Sequence, residues 1–527
     1  MSLSRKIIRG GTIMSMRRMM KLAMSVLVTG SLGTGMILFG AVSRSGAAGT
    51  GGTLTVGLVT GIPQLNPALA TFSDEHVLFP LLWDGLTQYE PNGKIGPDLA
   101  TSWSSSDDNK TWVFQLRSGV KFSNGETVTS ADVANSFDYY LNPSTPFQDN
   151  TGLEVIKTVE ANGPSSVVIQ LSSPDSSLPS AITYVDVIDL ATLSTIDQNP
   201  IGTGPFEVQS FVPDSTVTLV RNPDYWGTSA GVSQISIVAE PDPTAAFTSL
   251  TADTIQVMGD LPDSDLSQVK SNSSLKLVKP AVPGLWLDWE VDTTAGPFVN
   301  VKAREALAYA VNRKAVVSEA YFGGGTVSSE NDPLATTNPS YDSHLTKYTY
   351  NLKKAKKLFA EAGIHAGAKF TWWGDSAEPG WTTSGEILQA SLKQIGITLK
   401  LVSNDSATYA AKFYPPGKSF PGLIVPNYQS RSAAPEFAMD AFTKGVCECN
   451  WNSKTYFSMF NSAMGATKTA LESADWNNLQ KLVNETVPVI IPAQFSLDVG
   501  SVSSVSGIWE EGNGEIHLEN AVIQNNG

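Results

Sequence analysis

The sequence predicts a mixed α/β protein that is built from two or three domains. Its 527 residues exceed the size at which a single hydrophobic core stops growing, so we expect the chain to divide. Short segments that alternate between polar and apolar residues dominate up to about residue 280, as is typical of β-strands. Capped helices follow, and one of them leads directly into a strand, which is the pattern of an α/β layer.

The first 48 residues predict an export leader. They contain seven lysines and arginines and no acid, and Leu22–Val42 carries no charge. A basic N-terminal part, an apolar stretch and then small residues at positions 45–48 are typical of a cleaved signal peptide, and we expect cleavage near Ala48. A retained membrane anchor is the alternative, because the apolar stretch is long. No cysteine lies near the end of the leader, so we expect no lipid attachment and hence not a lipoprotein.

Strand patterns begin directly after the leader. Thr53–Val59 alternates in polarity, and the aromatic and β-branched run Trp112–Leu116 does the same. The pair Asn124-Gly125 favours a tight hairpin turn, since both residues tolerate positive φ angles. Thr129, followed three residues later by an aspartate, predicts the start of a helix. Further strands are predicted at Val155–Glu160, Val167–Leu171, Thr216–Val220 and Ile235–Ala239.

Helices of regular apolar spacing are predicted in the second half of the chain. An asparagine precedes each of Val301–Ala310 and Leu352–Ala362, where it can cap the first turn. We expect Ser384 to cap a third helix, Gly385–Ile395. The strand Ile397–Val402 follows this helix after a single glycine.

The charge of the chain excludes nucleic acid as a partner. The leader holds seven positive charges and no negative one, so the formal net charge of the remainder is −22 instead of −15. A surface this acidic repels phosphates, and no basic stripe offsets it.

No pattern of catalytic residues is present. The four histidines, His76, His344, His365 and His517, show no zinc-ligand spacing, and no Gly-x-Ser-x-Gly run occurs. Cys447 and Cys449 can close a small ring or remain free, and two thiols without a nearby histidine supply only half a zinc ligand set. We therefore predict a protein that is not an enzyme and holds no metal and no cofactor.

Twelve tryptophans are a more informative feature. Several cluster at Trp286 and Trp289 and at Trp372 and Trp373. Rigid aromatic surfaces often line ligand pockets, although core packing is the competing interpretation. In the strand pattern Leu285–Glu290, alternation places Trp286 on one face with two carboxylates. Such a face suits a cationic or hydroxyl-rich ligand.

Several runs, taken in order, resemble the extracellular solute-binding proteins of family 5, the dipeptide, oligopeptide and nickel-binding group. They cover nearly all of residues 53–500. The runs are Leu82–Thr87, Pro97–Trp103, Thr111–Phe122, Asn124-Gly125, Ser130–Val133, Gly202–Phe206, Arg221–Trp226, Pro297-Phe298, Val301–Arg313, Lys354–Gly363 and Leu392–Ile397.

The resemblance implies a periplasmic-binding-protein-like, two-lobed clamp of type II, class C, with an extra inserted domain. Residues 49–90, 196–279 and 488–527 would form a discontinuous lobe I, residues 91–195 the inserted domain II, and residues 280–487 lobe III. It also implies a monomer that works outside the cytoplasm, in the periplasm or at the cell surface. There it would pass a small ligand to the permease of an ABC importer.

The ligand that the resemblance implies is a short peptide. Peptide-binding members carry an aspartate for the peptide's ammonium group late in the second lobe. In this chain Asn427 stands in its place, and Tyr428 and Arg431 follow in the same stretch. An oligosaccharide remains the alternative ligand, and a secreted hydrolase or an adhesive surface protein are the alternative classes. The expected pocket residues are Trp286, Trp289, Trp372, Trp373, Asn427, Tyr428 and Arg431, with at most one of Trp372 and Trp373 reaching the cleft.

Overall fold

Three larger β-sheets, together with the helices that cover them, form the body of the protein. The computed structural model describes residues 51–70, 73–147, 152–414, 417–430, 434–443, 446–466 and 469–524. The expected leader and Arg431 lie outside the described residues. Within these ranges, no helix combines the length and the apolar character that crossing a membrane requires.

The strands and helices are numbered in chain order. The strands are β1 Thr53–Leu58, β2 Thr87–Tyr89, β3 Ile95–Pro97, β4 Ala100–Ser105, β5 Thr111–Leu116, β6 Ile156–Ala161, β7 Ser166–Leu171, β8 Phe206–Val212, β9 Thr216–Arg221, β10 Gln234–Ala239, β11 Val257–Met258, β12 Leu275–Val278, β13 Leu285–Glu290, β14 Thr326–Val327, β15 Lys369–Asp375, β16 Thr398–Asn404, β17 Leu423–Ser430, β18 Val489–Phe495, β19 Val499–Val502, β20 Val505–Ser506, β21 Trp509–Glu510, β22 Ile516–His517 and β23 Val522–Ile523. The helices are α1 Phe79–Leu82, α2 Ser130–Tyr140, α3 Leu178–Ala181, α4 Pro243–Thr251, α5 Leu266–Ser271, α6 Val301–Ala310, α7 Arg313–Ala315, α8 Leu352–Glu361, α9 Pro379–Gln394, α10 Ser406–Phe413, α11 Pro435–Asp440, α12 Lys454–Met464 and α13 Thr469–Thr486.

A seven-stranded sheet forms the first body, which we call lobe I. Its order is β12-β19-β11-β1-β10-β9-β8, with β1 parallel to β10 and β11 and the other neighbours antiparallel. Inward residues such as Leu54, Val56 and Leu219 are fully buried, as strand alternation requires. The strands come from three separate stretches of the chain, so this body is discontinuous in sequence.

A six-stranded sheet forms the second body, which we call lobe III. Its order is β14-β18-β13-β17-β15-β16, with β15 parallel to β16 and β17. Helices α6, α8, α9 and α10 supply apolar residues to the core on one face, and α11, α12 and α13 to the core on the other. Because both faces are covered, every residue of the central strand β13 is buried.

A four-stranded antiparallel sheet in the order β4-β5-β7-β6, with helix α2 against it, forms the third body, domain II. The predicted capping box opens α2: Asp132 accepts a hydrogen bond from the backbone N–H of Thr129 at 2.7 Å. Val133, Phe137 and Tyr140 then turn inward at helical spacing.

Two connections join lobe I to lobe III. One is the segment 279–284 between β12 and β13, and the other is the segment 496–498 between β18 and β19. Lys279 and Asp498, one on each connection, form an ion pair at 2.7 Å. The two crossings therefore lie side by side and define a single hinge region.

The predicted helix caps are confirmed in two of three cases. Asn300 and Asn351 accept hydrogen bonds from first-turn backbone amides of α6 and α8. The prediction that Ser384 begins a helix is wrong, because α9 begins at Pro379 and contains Ser384 as a fully buried residue. Proline is favoured in a first helical turn, and Trp381 is drawn inward by packing on the sheet.

Candidate functional site

The carboxyl ends of parallel strands in both sheets point towards the hinge. Strand β11 is antiparallel to β19, which starts at the hinge, so β11 and its parallel neighbour β1 end there. In lobe III, β17 is antiparallel to β13, which also starts at the hinge, so β17 and its parallel neighbour β15 end there too. Ligands of open α/β sheets bind outside the carboxyl ends of the strands. The loops after these strands therefore line the candidate cleft.

Asp263, in the loop after β11, reaches across the cleft to lobe III. Its carboxylate lies directly against Gly324, where an added Cβ atom would collide with Oδ1. Burial raises the pKa of Asp263 to about 6, with a further rise from Asp498 and an opposing effect from Lys279. Asp263 thus places a half-buried acid where the two lobes meet.

A wall of aromatic side chains stands on the lobe III side of the cleft. The Tyr428 hydroxyl donates a hydrogen bond to the Tyr321 hydroxyl at 3.1 Å. The ring of Trp381 lies 5.3 Å from that of Tyr428, and the ring of Phe495 lies 4.6 Å from that of Tyr321. Gly380 makes room for Tyr321, since a Cβ atom there would come within 2.7 Å of its ring. The rings of Tyr321, Trp381 and Phe495 are buried and that of Tyr428 is half-buried, so Tyr428 is the member of this wall with surface and a hydroxyl group to offer a ligand.

Glu378 adds a second acid to the same wall. It follows the end of β15 and is half-buried, and desolvation, with a contribution from Asp375, raises its pKa to about 7. Both Glu378 and Asp263 act electrostatically on the hydroxyls of Tyr321 and Tyr428, so both carboxyl groups lie in the neighbourhood of the tyrosine pair. Aromatic rings with carboxyl groups nearby are suited to a ligand that carries an ammonium group.

The opposite face of β17 carries a separate polar group. Asn427 is 5% exposed, and its Oδ1 accepts a hydrogen bond from the Tyr414 hydroxyl at 2.9 Å. In the antiparallel ladder it lies opposite Asp288, so the two side chains share one face of the sheet. Burial, followed by the charges of Asp288 and Glu448, raises the pKa of Glu290 well above its usual range. Acid groups therefore accumulate on this face as well.

Three of the predicted pocket tryptophans lie in hydrophobic cores. Trp286 is 1% exposed and packs in the core that α11, α12 and α13 share with the sheet. Trp289 is fully buried on the other face, in edge-to-face contact with Trp372 at 5.1 Å. The alternation predicted for Leu285–Glu290 is therefore confirmed. Trp286, Trp289 and Trp372 are therefore core residues of lobe III, and Trp372 also lines a small pocket together with Gly374 and Thr382.

The remaining predicted residues lie nearer the cleft. Trp373 is half-buried and points away from Trp372, as neighbours on a strand must. Asn427 and Tyr428 come at the carboxyl end of β17, and the structure brings Tyr428 together with Tyr321 and Trp381. Arg431 would follow directly after this strand but falls outside the described residues.

Domain II and lobe III touch on the far side of the molecule. The Ser180 hydroxyl donates to Glu436 at 2.5 Å, and the Ser176 backbone N–H donates to the Met464 carbonyl at 2.7 Å. The Asn109 amide donates to a further lobe III carbonyl at 2.9 Å. Domain II and lobe III are therefore in direct contact.

The two cysteines are joined. Cys447 and Cys449 form a disulfide, the ring alternative of the two that the sequence leaves open. The carboxylate of Glu290 lies 3.9 Å from the Cys447 sulfur. Bonded sulfurs are not metal ligands, because the thiolate is the ligating form.

Sequence reasoning missed Asp263, Tyr321 and Glu378. None of them stands in a motif, and only their position just after an element distinguishes them. Asp263 follows β11 and Glu378 follows β15, while Tyr321 follows the helical turn Val316–Ala320. The available signal was the rule that ligands lie at the carboxyl ends of parallel strands, and it needs the strand directions first.

Known proteins of this architecture share its fold and much of its sequence pattern. A family model described as bacterial extracellular solute-binding proteins, family 5 Middle, matches residues 94–467. The dipeptide-binding protein of Escherichia coli K12 is 25% identical over 504 residues, which are 88% of this chain and 92% of that protein. HbpA2 from Haemophilus parasuis aligns with a TM-score of 0.79 and 24% identity, over 90% of this chain and 100% of its own. The dipeptide-binding protein of Pseudoalteromonas sp. SM9913, solved with Met-Leu, aligns with a TM-score of 0.72 and 21% identity, again over 90% and 100%. These likenesses confirm the two-lobed α/β class, and the chain belongs to the bacterial extracellular solute-binding proteins of family 5.

Proposed function

We propose that this protein captures a short peptide outside the cytoplasm and delivers it to the permease of an ABC importer. The relatives named above include a dipeptide-binding protein and a structure with a dipeptide bound. We also propose the division into lobe I (49–90, 196–279 and 488–527), domain II (91–195) and lobe III (280–487). Residues 1–48 would direct export without lipid attachment, and the exported chain would act as a monomer.

The observation that carries the peptide proposal is the pair of carboxyl groups near the tyrosines. Asp263 and Glu378 are half-buried, and each has a pKa raised towards neutrality. Burial makes ionisation of such groups costly, and a cation that pairs with them makes it favourable. A peptide's α-ammonium group supplies that cation, and the aromatic wall at Tyr428 supplies apolar surface for its side chain.

The predicted pocket residues divide into two groups in this proposal. Trp373, Asn427, Tyr428 and Arg431 would contact the ligand or lie within reach of it. Trp286, Trp289 and Trp372 would hold β13 and β15 in place from the cores in which they are buried. Lobe closure would then exclude water from this surface, beside the existing contact of Asp263 with lobe III at Gly324.

An oligosaccharide is the second candidate ligand. The half-buried rings of Trp373 and Tyr428 favour it, because such rings can stack on sugars. A sugar can donate hydroxyl hydrogen bonds to the two carboxyl groups, but it has no ammonium group and so supplies no ion pair. We therefore place it second.

Titration calorimetry with short peptides tests the proposal. We expect binding of free peptides and loss of binding when the same peptides are N-acetylated, since acetylation removes the ammonium charge. Glu378→Gln should weaken binding by roughly 10- to 150-fold, equal to the 1.5–3 kcal/mol typical of a hydrogen bond to a charged group. Glu386→Gln, an exposed change on helix α9, which Glu378 directly precedes, serves as the matched control.

Native mass spectrometry of the protein purified from its own host identifies the retained ligand directly. A sugar in that spectrum, or equal affinity for free and acetylated peptides, would contradict the peptide proposal. Sustained product formation from any bound peptide or glycoside, abolished by a point mutation, would overturn the assignment of a binding protein and favour a hydrolase.

A further inference from the structure

A cluster of two acids and a histidine lies in the C-terminal hairpin of lobe I, formed by β21 and β22. Glu511, Glu515 and His517 are 7%, 5% and 5% exposed. Each offers one ligand atom, and the three atoms all lie within 4.8 Å of one another. The sequence shows no ligand motif here, because it is the hairpin turn that brings the three side chains together.

Glu515 has no visible reason to be buried. Among the described residues, no donor reaches its Oε2, which is fully inaccessible to solvent. A buried carboxyl oxygen without a hydrogen-bond partner costs free energy. A cation in the cluster would supply the missing partner.

The orientation of His517 is set in the way that metal-binding histidines usually are. Its Nδ1 lies 2.8 Å from Oε1 of Glu519, and its Nε2 points to Oε1 of Glu511 at 2.9 Å. Trp509 stacks flat on the imidazole, with the ring centres 3.8 Å apart and the planes 6° apart. A carboxylate on one ring nitrogen fixes the ring and raises the basicity of the other, which then faces the ion.

The carboxylate of Glu511 is also held from outside the cluster. The Tyr184 hydroxyl donates to its Oε2 at 3.3 Å, and the Asn513 amide donates to the Tyr184 oxygen at 2.6 Å. Tyr184 belongs to domain II, so the cluster joins that domain to the C-terminal hairpin of lobe I.

We propose that Glu511, Glu515 and His517 bind a divalent first-row transition-metal ion such as Zn²⁺, with Glu519 orienting the histidine. Two carboxylates and one imidazole suit an ion of borderline softness better than Ca²⁺ or Mg²⁺, which take oxygen ligands only. The ion would then fasten domain II to lobe I. This site does not depend on the peptide proposal.

A surface pocket lies between the β2–β3 hairpin, the hinge segment at residues 280–282 and the start of the C-terminal hairpin, and Glu511 is part of its wall.

Calorimetric titration of the EDTA-treated full-length protein with ZnCl₂ tests the site, together with elemental analysis after gel filtration. We expect one Zn²⁺ per chain with micromolar or tighter affinity. Affinity should fall at least 10-fold in Glu515→Gln and His517→Ala, and 10- to 100-fold in Glu519→Gln, the usual effect of removing an orienting partner. His344→Ala, whose side chain is 92% exposed, should bind Zn²⁺ like the wild type.

Glu515→Gln keeps the test valid if His517→Ala fails to fold. It removes an unpartnered buried acid, so the zinc-free variant should melt at the same temperature as the wild type or higher, while losing the rise in melting temperature that Zn²⁺ gives the wild type. Absence of Zn²⁺ binding by the wild type would overturn the proposal. Equal Zn²⁺ binding by Glu515→Gln and the wild type would place the ion elsewhere and overturn it as well.

Discussion

The buried carboxyl group of Asp332 tests how strongly burial in lobe III raises the pKa of an acid. It is 2% exposed, and its Oδ1 accepts one hydrogen bond, from the backbone N–H of Leu334 at 2.8 Å. Its Oδ2 has no partner among the described residues. Burial, with smaller contributions from Glu330 and Asp342, raises its pKa from 3.8 to about 8. We predict that replacing it with asparagine changes the pH dependence of stability.

The sign and size follow from the pKa difference between the two states. Between pH 4 and pH 8 the unfolded chain ionises Asp332, whereas the folded protein keeps it protonated, so the folded state binds more protons. The contribution of Asp332 to the free energy of unfolding is greatest below pH 4. It falls by about 1.4 kcal/mol per pH unit from there to pH 8. From pH 5 to pH 7 the wild type should therefore lose about 2.7 kcal/mol that Asp332→Asn does not lose.

Urea unfolding of both proteins at pH 5, 6, 7 and 8, followed by tryptophan emission, measures this difference. The free energy of unfolding of Asp332→Asn, relative to that of the wild type, should increase with each rise in pH. Asp108→Asn, a change at an exposed acid whose pKa is already lowered, should show no such trend in this range. A difference between Asp332→Asn and wild type that stays constant with pH would refute the reasoning, since it would mean that Asp332 ionises equally in both states.

Three further predictions follow from other parts of the structure. Arg304→Met should lower the free energy of unfolding by at least about 3 kcal/mol, because the buried Arg304 guanidinium donates hydrogen bonds to four backbone carbonyls. A loss of less than about 1 kcal/mol in calorimetry would contradict this prediction. Gly324→Val should weaken ligand binding about 10-fold or more without lowering the melting temperature, since the new side chain meets Asp263 as the lobes close; unchanged affinity would show that this contact plays no part in closure. Saturating ligand should reduce the radius of gyration in X-ray scattering and change the tryptophan emission through Trp373 and Trp381. If both measurements stay unchanged on binding, the protein binds without closing.

Local features of this protein were accessible from the sequence because their causes are local. The capping box at Thr129 and the asparagine caps of α6 and α8 depend on residues within one turn. The strand β13 was predicted with its correct bounds, since alternation in Leu285–Glu290 needs no knowledge of the rest of the chain. The order of the family-like runs then led to the two-lobed fold.

The sequence alone determined that this is a clamp of two α/β lobes in the family 5 solute-binding proteins, with a central strand rich in tryptophan. Only the tertiary structure decided which side chains meet. Helices on both faces of β13 bury Trp286 and Trp289, and the double crossing at the hinge places Asp263 close enough for its charge to act on Tyr428. Such groupings depend on contacts between residues more than a hundred positions apart. Spacing along the chain carries no record of them, because which residues meet depends on strand direction, helix coverage and lobe closure together.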